Sequence, residues 1–283
     1  MRKNLLKNIL LIIIFLIMSF SMSASKKIST HEEILKNYDF DKEVKGFAEQ
    51  LKKEKVNEKS INLFVKAVYA PRPEKKEILL EAIKADRKNY AAYYFLGYFY
   101  ENSILNSDKD KAIEAYEKGL EINHKQGYVI YTRLGDLYLD RNDFINARKL
   151  FEKGVIYFPK TSRPYFDLAV LSIRMGKIED AFLYIEKSIE KADKEWPDDK
   201  FKRDYEKIPS IVILIRTYFH INQYNKGFEI FYDAYSDMAD ILSESYLDEV
   251  VNMMKSENEK IKETHKELYK KNIEKFKDLE IIK

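Results

Sequence analysis

Residues 128–161, YVIYTRLGDLYLDRNDFINARKLFEKGVIYFPKT, carry the pattern that decides the fold. The first half places large apolar side chains at helical spacing around one glycine, and the second half places an alanine four residues before a phenylalanine. Small residues suit a point where two helices cross, and proline suits a helix end because it lacks the amide donor. The stretch therefore predicts two helices packed against each other. The positions that define the pattern are Tyr131, Leu134, Gly135, Tyr138, Ala147, Phe151 and Pro159.

The same pattern recurs on both sides of this stretch. Gly135 and Ala169 lie 34 positions apart, and so do Ala147 and Ala181. The upstream copy has Tyr93, Leu96, Gly97, Tyr100, Ala112 and Tyr116 in these positions. The downstream copy has Tyr165, Leu168, Ala169, Ser172, Ala181 and Ile185. A fourth, weaker copy follows an insertion and has Ile211, Leu214, Ile215, Tyr218, Gly227 and Phe231.

This pattern resembles the tetratricopeptide repeat, whose signature has an aromatic residue, Leu-Gly, tyrosine, alanine, phenylalanine and proline at these offsets. The resemblance implies an all-α fold, an α-solenoid of stacked antiparallel helix pairs with capping helices at both ends. An irregular helical bundle is the alternative. The resemblance also implies a set of repeat-packing residues, namely Gly97, Ala112, Leu134, Gly135, Ala147, Phe151, Pro159, Leu168, Ala169 and Ala181.

The rest of the chain divides around these copies. We expect N-terminal capping helices or a degenerate repeat at 26–89, repeats at 90–127, 128–161 and 162–195, an inserted connector at 196–208, a degenerate repeat at 209–242 and charged C-terminal capping helices at 243–283. The connector is expected to be a solvated loop, although loops of this kind also carry function. Residues 257–281 predict one long helix, either a cap or a coiled-coil contact with a partner.

Residues 1–25 have the three-part pattern of a secretory signal peptide. Arg2, Lys3 and Lys7 precede an apolar run at 9–18, and small residues follow it. The run is shorter than the roughly 20 apolar residues of a spanning helix. Cleavage after Ser23 and cleavage after Ser25 both fit, and an uncleaved anchor is the alternative. We therefore predict an exported protein, periplasmic or secreted, with no membrane contact beyond this segment.

Charge and residue content argue against several functional classes. The chain has 50 Lys+Arg and 47 Asp+Glu, and the excess of basic residues lies in the first 25 positions, so the remainder is net neutral. Nucleic-acid binding normally needs a basic face. The chain has no cysteine, and its 4 histidines are scattered without metal-ligand spacing. We therefore predict no catalytic site, no cofactor, no metal site and no nucleic-acid partner.

The resemblance also implies a binding surface, because in this family the first helix of each repeat lines a concave groove. Among the residues at those positions, which include Glu101, the expected binding residues are Tyr94, Tyr98, Arg133, Asp136, Arg163, Phe166, Asp167 and Arg174. Tyrosine and arginine are frequent interface anchors. One family mode grips a terminal carboxylate with mostly basic residues; Asp167 would repel such a tail, so we do not expect that mode. For Tyr94 and Tyr98 the alternative is packing against a neighbouring helix.

The leading functional hypothesis is a non-enzymatic protein–protein interaction scaffold, exported to the cell envelope, that binds a peptide or protein surface in the concave groove. The alternative is a structural component of an envelope assembly or export complex, held by its outer face and C-terminal helix. A third hypothesis is an accessory domain with hydrolase activity.

Overall fold

The computed structural model describes residues 40–103, 106–125 and 127–282, and all regular secondary structure in these ranges is α-helical. The chain divides into two compact units, Met1–Phe158 and Pro159–Lys283. The helices of the first unit are α1 (Phe40–Lys53), α2 (Glu58–Tyr69), α3 (Arg72–Ala85), α4 (Tyr90–Glu101), α5 (Asn106–Ile122), α6 (Tyr128–Asp140) and α7 (Phe144–Tyr157). Those of the second unit are α8 (Arg163–Arg174), α9 (Ile178–Glu195), α10 (Lys200–His220), α11 (Tyr224–Ile241), α12 (Glu244–Ile261) and α13 (Lys266–Asp278).

The predicted fold class is confirmed, because the helices pack as successive pairs and the fold is tetratricopeptide-like. The main pairs are α2 with α3, α4 with α5, α6 with α7, α8 with α9, and α10 with α11. Within each unit most helices contact the helix next to them in the chain; α2 also contacts α4, and α8 also contacts α10. The predicted signal segment 1–25 and residues 26–39 of the N-terminal cap lie outside the described residues. None of the described helices is long and apolar enough to cross a membrane.

Polar side chains begin several of the helices. Asn89 accepts a hydrogen bond from the Ala92 amide at the start of α4, and Asp143 accepts one from the Asn146 amide at the start of α7. Asp199 does the same for Lys202 at the start of α10. Each bond satisfies an amide that has no partner inside its own helix, which is why Asn and Asp are favoured at this position.

Two glycines allow close helix crossings in the first unit. A Cβ atom added at Gly97 would lie 2.6 Å from the Tyr116 ring, and one added at Gly135 would lie 2.2 Å from Cε1 of Phe151. No real Cβ atom tolerates such a distance, so α4 and α6 reach their partner helices only because these positions lack a side chain. Of the predicted packing residues, Pro159 alone is exposed: it follows the end of α7 and fills no interior space. The buried ones are Gly97, Ala112, Leu134, Gly135, Ala147, Phe151, Leu168, Ala169 and Ala181.

Each unit has its own apolar cores. In the first unit one cluster joins α1 to α4 around Leu51, Phe64 and Leu79, and a second joins α5 and α6 around Tyr116 and Leu134. In the second unit a large cluster joins α10 to α13; its fully buried members include Phe228, Phe231, Met254 and Phe276. Aromatic side chains thus supply much of the buried area, and burial of that area is the main stabilising contribution.

The segment predicted as a connector at 196–208 is largely helical. Helix α9 continues to Glu195, and α10 begins at Lys200, so the inserted residues mainly lengthen these two helices. Asp204 and Ile208 are buried in the added turns, and Lys207 pairs with Asp193 of α9 at 2.5 Å. Pro209 lies inside α10 and lacks an amide proton, yet the helix continues past it. The stabilisation from burying the added turns therefore outweighs the tendency of Pro209 to interrupt the helix.

The C-terminal region forms two helices where a single helix was expected over 257–281. Helix α12 ends at Ile261 and α13 begins at Lys266. Ile261 and Phe276 are each 1% exposed in the same core, which requires the chain to fold back between them. A buried polar chain supports the turn: the Tyr232 hydroxyl donates to Asn272 at 2.9 Å, and the Asn272 amide donates to Asn258 at 2.8 Å.

Candidate functional site

Helix α1 covers part of the surface that the sequence assigns to binding. The Phe47 ring stacks on Tyr94 with centroids 6.3 Å apart, and it meets Phe64 and Phe95 edge-on. Tyr94 also lies 5.9 Å from the Tyr116 ring. Tyr94 therefore packs within an aromatic cluster, and the surface that is open to a partner begins further along α4.

Tyr98 and Arg133 form the open part of this surface. The Tyr98 ring is 42% exposed, and the Arg133 guanidinium lies over it at 4.6 Å. Arg133 Nη1 donates to both carboxylate oxygens of Glu101, at 3.0 and 3.1 Å. The buried Tyr116 hydroxyl donates to the same carboxylate. We call the exposed surface of Tyr98, Glu101, Arg133 and Asp136, on α4 and α6, the Tyr98–Arg133 face.

On this face Arg133 stays protonated, and the negative charge of Glu101 balances its positive charge. Burial lowers the pKa of Arg133, but Glu101 and the nearby tyrosines outweigh it and hold the pKa above its ordinary value. Burial and the Glu101 charge raise the pKa of Tyr116, so its hydroxyl stays protonated. The Arg133 and Glu101 side chains are 30% and 23% exposed, so water screens the pair only partly. The face thus presents a compensated ion pair beside an aromatic ring.

The predicted binding residues of the second unit form a similar cluster within α8. The Arg163 guanidinium lies over the Phe166 ring at 4.8 Å, and Arg163 Nε donates to Asp167 at 3.0 Å. Asp167 is only 3% exposed, so it orients Arg163 and offers almost no surface of its own. Arg174 is half-buried at the end of the same helix, as is Asp136 on α6 in the first unit. The arrangement leaves Arg163 and Phe166 as the accessible members.

Two carboxylates meet the start of α8. The Ser162 amide donates to Glu195 at 3.0 Å, and the Ser162 hydroxyl donates to Glu206 at 3.4 Å. Burial and the nearby Glu195 charge raise the pKa of Glu206, with Arg163 opposing them. Negative charge at a helix N-terminus is stabilising, because the backbone amides there point outward. Within the described part of the chain, no group of three or more His, Cys, Asp or Glu is arranged to hold a metal ion.

Tyr116 and Phe47 carry this site but lie outside the predicted groove positions. Glu101 occupies a predicted groove position but is not among the expected binding residues. A comparison of the repeats contains part of the missing information, since Glu101 occupies the position of Leu139 in the next repeat. Tyr116 likewise occupies, in the second helix of its repeat, the position that Phe151 has in the next repeat. A carboxylate and a hydroxyl that replace two apolar side chains in one repeat suggest a bond between them. Nothing in the sequence pattern indicates that Phe47 packs on α4.

Comparisons with known proteins give a repeat family and two similar folds. The tetratricopeptide repeat family matches residues 128–159. No curated protein sequence matches the chain. The solved structure of MamA, residue 41 to the end, from Desulfovibrio magneticus RS-1 has a TM-score of 0.53 and 16% identity, over 66% of this chain and 99% of that one. A tetratricopeptide repeat protein from Parabacteroides merdae has a TM-score of 0.50 and 16% identity, over 85% of this chain and 96% of that one.

At these identities the structural likeness shows the fold and nothing more specific. The matched segment coincides with the helix pair α6–α7, which carries Gly135, Phe151 and half of the Tyr98–Arg133 face. The chain therefore has a tetratricopeptide-like fold, and residues 128–159 match the tetratricopeptide repeat.

Proposed function

We propose that this protein is a non-enzymatic protein–protein interaction scaffold, exported to the periplasm or outside the cell, that binds a peptide or protein partner on the Tyr98–Arg133 face. The fold is one that suggests an interaction scaffold. Fold alone does not give function, so the proposal depends on the chemistry of the face.

The observation that carries the proposal is the prearranged contact between Arg133 and Tyr98. Ordering a side chain on binding costs free energy, about 0.5–1.5 kcal/mol for a flexible one. Here Glu101 already holds Arg133 over the exposed Tyr98 ring, so much of that cost is met before a partner arrives. Exposed tyrosine and arginine are also the residues that most often dominate interfaces.

The compensated charge indicates how a partner would bind. Because Glu101 neutralises Arg133, the face offers no bare cation for a terminal carboxylate. An apolar or aromatic side chain that packs beside Tyr98 and the guanidinium plane fits the face better. Extended segments and amphipathic helices both present such side chains at regular spacing.

Site-specific cross-linking in the native cell tests this function. A photoreactive amino acid at position 98 should capture one dominant partner, and the same group at position 145, an exposed isoleucine on α7, should not. Arg133→Ala should reduce capture from position 98 by about tenfold, as expected for loss of an interface anchor. Circular dichroism of that variant checks that the fold is retained. Equal capture from both positions, or capture that Arg133→Ala leaves unchanged, would contradict the proposal.

Export rests on the pattern of residues 1–25 and has its own test. Intact-mass measurement of the protein recovered from its native cells should give a chain that begins after Ser23 or after Ser25. A chain that retains the first 25 residues would instead indicate an uncleaved anchor or no export.

The assembly-component hypothesis also has one supporting observation. Ile145 and Ile156 on α7 are each 70% exposed and lie three turns apart on one edge of that helix. This exposed apolar pair is the feature of the outer surface that a covering protein would bury. In the same experiment, dominant capture from position 145 with none from position 98 would favour this second function.

A further inference from the structure

A cavity of about 610 Å³ opens in the first unit between α1, the start of α4 and the loop that follows α5. Its volume lies in the range of roughly 300–1,000 Å³ that is usual for ligand sites. The residues that carry its chemistry are Phe47, Gln50, Glu54, Tyr90, Asn123 and Lys125. Phe47 also stacks on Tyr94, so this wall of the cavity belongs to the aromatic cluster under α1.

A carboxylate is held in position in this cavity without being neutralised. Oε1 of Glu54 accepts a hydrogen bond from the side-chain amide of Gln50 at 2.8 Å and one from the side-chain amide of Asn123 at 3.3 Å. These two donors come from α1 and from the loop after α5. Both are neutral, and no described lysine or arginine forms an ion pair with Glu54. The carboxylate is therefore oriented by two neutral donors and has no ion-pair partner among the described residues.

The surroundings of Glu54 favour a flat, cationic group with several N–H donors. Phe47 supplies an aromatic wall, and the side-chain amides of Gln50 and Asn123 carry carbonyl oxygens besides the N–H groups they donate. The Tyr90 hydroxyl is uncharged at neutral pH, and burial and the Glu54 charge raise its pKa further, to about 12. Lys125 is a cation at the same cavity, and it competes with any cationic ligand.

We propose that this cavity binds the guanidinium group of an arginine side chain on a peptide or protein partner. Glu54 would accept charge-assisted hydrogen bonds from the guanidinium, and Phe47 would pack against its plane. A guanidinium suits these neighbours better than an ammonium does, because it is planar, weakly hydrated and presents five donors. The site is separate from the Tyr98–Arg133 face, so the result of either experiment leaves the other proposal standing.

Titration of the full-length protein with short peptides tests this site. The probe is N-acetyl-Gly-Arg-Gly-amide, followed by calorimetry, and its matched control carries citrulline, which has the same shape without the charge. We expect the arginine peptide to bind at least about tenfold more tightly than the citrulline peptide, as the loss of a charge-assisted contact predicts. A lysine peptide should bind more weakly than the arginine peptide. Equal binding of the arginine and citrulline peptides, or no binding of the arginine peptide, would overturn the proposal.

Three variants place the binding in the cavity. Glu54→Gln should weaken binding of the arginine peptide by about tenfold. Glu49→Gln, the same charge change on α1 outside the cavity, should leave that binding unchanged. Lys125→Ala should strengthen binding, because it removes the competing cation. Each variant should keep the wild-type melting temperature, since both glutamates and Lys125 are exposed. Unchanged binding by Glu54→Gln, or weaker binding by Lys125→Ala, would refute the assignment.

Discussion

At Gly135, helix α6 crosses α7 with no space for a side chain, and the same substitution at Gly46 provides a matched control. Gly135→Ala would bring a Cβ atom within 2.2 Å of Phe151, whereas a Cβ at Gly46 of α1 meets no described atom within 4 Å. We expect Gly135→Ala to lower the free energy of unfolding by about 1–3 kcal/mol through overpacking. Gly46→Ala should raise it by about 0.5–1 kcal/mol, because alanine favours the helix. Urea unfolding measures both, and a stabilised Gly135→Ala would contradict the crossing.

Single residues also show what a sequence pattern contains and what it omits. Periodicity indicates which face of a helix is buried, so the small residues at Gly97 and Gly135 could be predicted. It does not indicate which polar atoms meet across that face. The bond from Tyr116 to Glu101 and the orientation of Arg133 by Glu101 both depend on three-dimensional distances between helices. The predicted binding residues were therefore named without the contacts that decide which of them a partner can reach.

At the scale of an element, the start of α8 depends on a carboxylate from the end of α9. Glu195 accepts the Ser162 amide, so Glu195→Ala should lower the free energy of unfolding by about 1 kcal/mol, as loss of a helix cap does. Glu190 on the same helix pairs with the exposed Lys194, and Glu190→Ala should cost less than about 0.5 kcal/mol. Chemical denaturation of the two variants separates these cases. Equal effects would show that Glu195 does not act as a cap.

Glu206 faces the same helix start, but its replacement should stabilise the protein, whereas replacement of Glu195 should destabilise it. Burial and the Glu195 charge raise its pKa, so the folded state holds its proton more strongly than the unfolded chain does. Its stabilising contribution is then complete below the ordinary glutamate pKa and is lost as the pH rises through the raised value. Glu206→Gln should therefore increase the melting temperature at neutral pH and leave it nearly unchanged in acid. A lower melting temperature at neutral pH would contradict this account.

The relation between the repeat pattern and the helix bounds varies along the chain. The pairs at 90–127 and 128–161 contain α4–α5 and α6–α7, each with a recognisable glycine and aromatic pattern. At 196–208 the insertion between two repeat copies suggested a loop, but burial of Asp204 and Ile208 continues the helix there. In the C-terminal region, charge suggested one exposed helix, whereas Phe276 requires a turn that brings it into the core. In both segments, burial in the tertiary structure determines where the helices begin and end.

At the scale of the whole molecule, buried tyrosine hydroxyls make stability sensitive to alkali. Burial, with Glu117 adding to it, raises the pKa of Tyr138 to about 12, and burial also raises the pKa of Tyr131 and Tyr232. Unfolded tyrosines ionise near their ordinary pKa of about 10, so above that pH the unfolded state loses protons that the folded state retains. The free energy of unfolding should therefore fall steadily between about pH 10 and 12.

Tyrosinate absorbance recorded during alkaline titration checks this expectation. Ionisation of the raised tyrosines should coincide with loss of the helical circular dichroism signal. Tyr138→Phe should reduce the pH dependence, because it removes one of the hydroxyls concerned. Tyrosines that all titrate near their ordinary pKa in a protein that stays folded would contradict the buried positions.

The all-α fold could be predicted from the sequence, but the division of the chain into two units could not. The 34-residue register runs without interruption from Gly135 to Ala169, yet the boundary between the units lies between Phe158 and Pro159. Repeat spacing reflects packing inside a helix pair, so it contains no information on where one compact unit ends.

The contacts between helices that follow each other in the chain also have a mechanical consequence. When force is applied to the ends of such a unit, the terminal helix pair can peel away without first disrupting the pairs behind it, because few contacts tie it to distant parts of the chain. Each released pair of about 34 residues would lengthen the molecule by on the order of 100 Å. Each unit would then unfold under force in successive small steps, and the released helices could refold onto the pairs that remain folded.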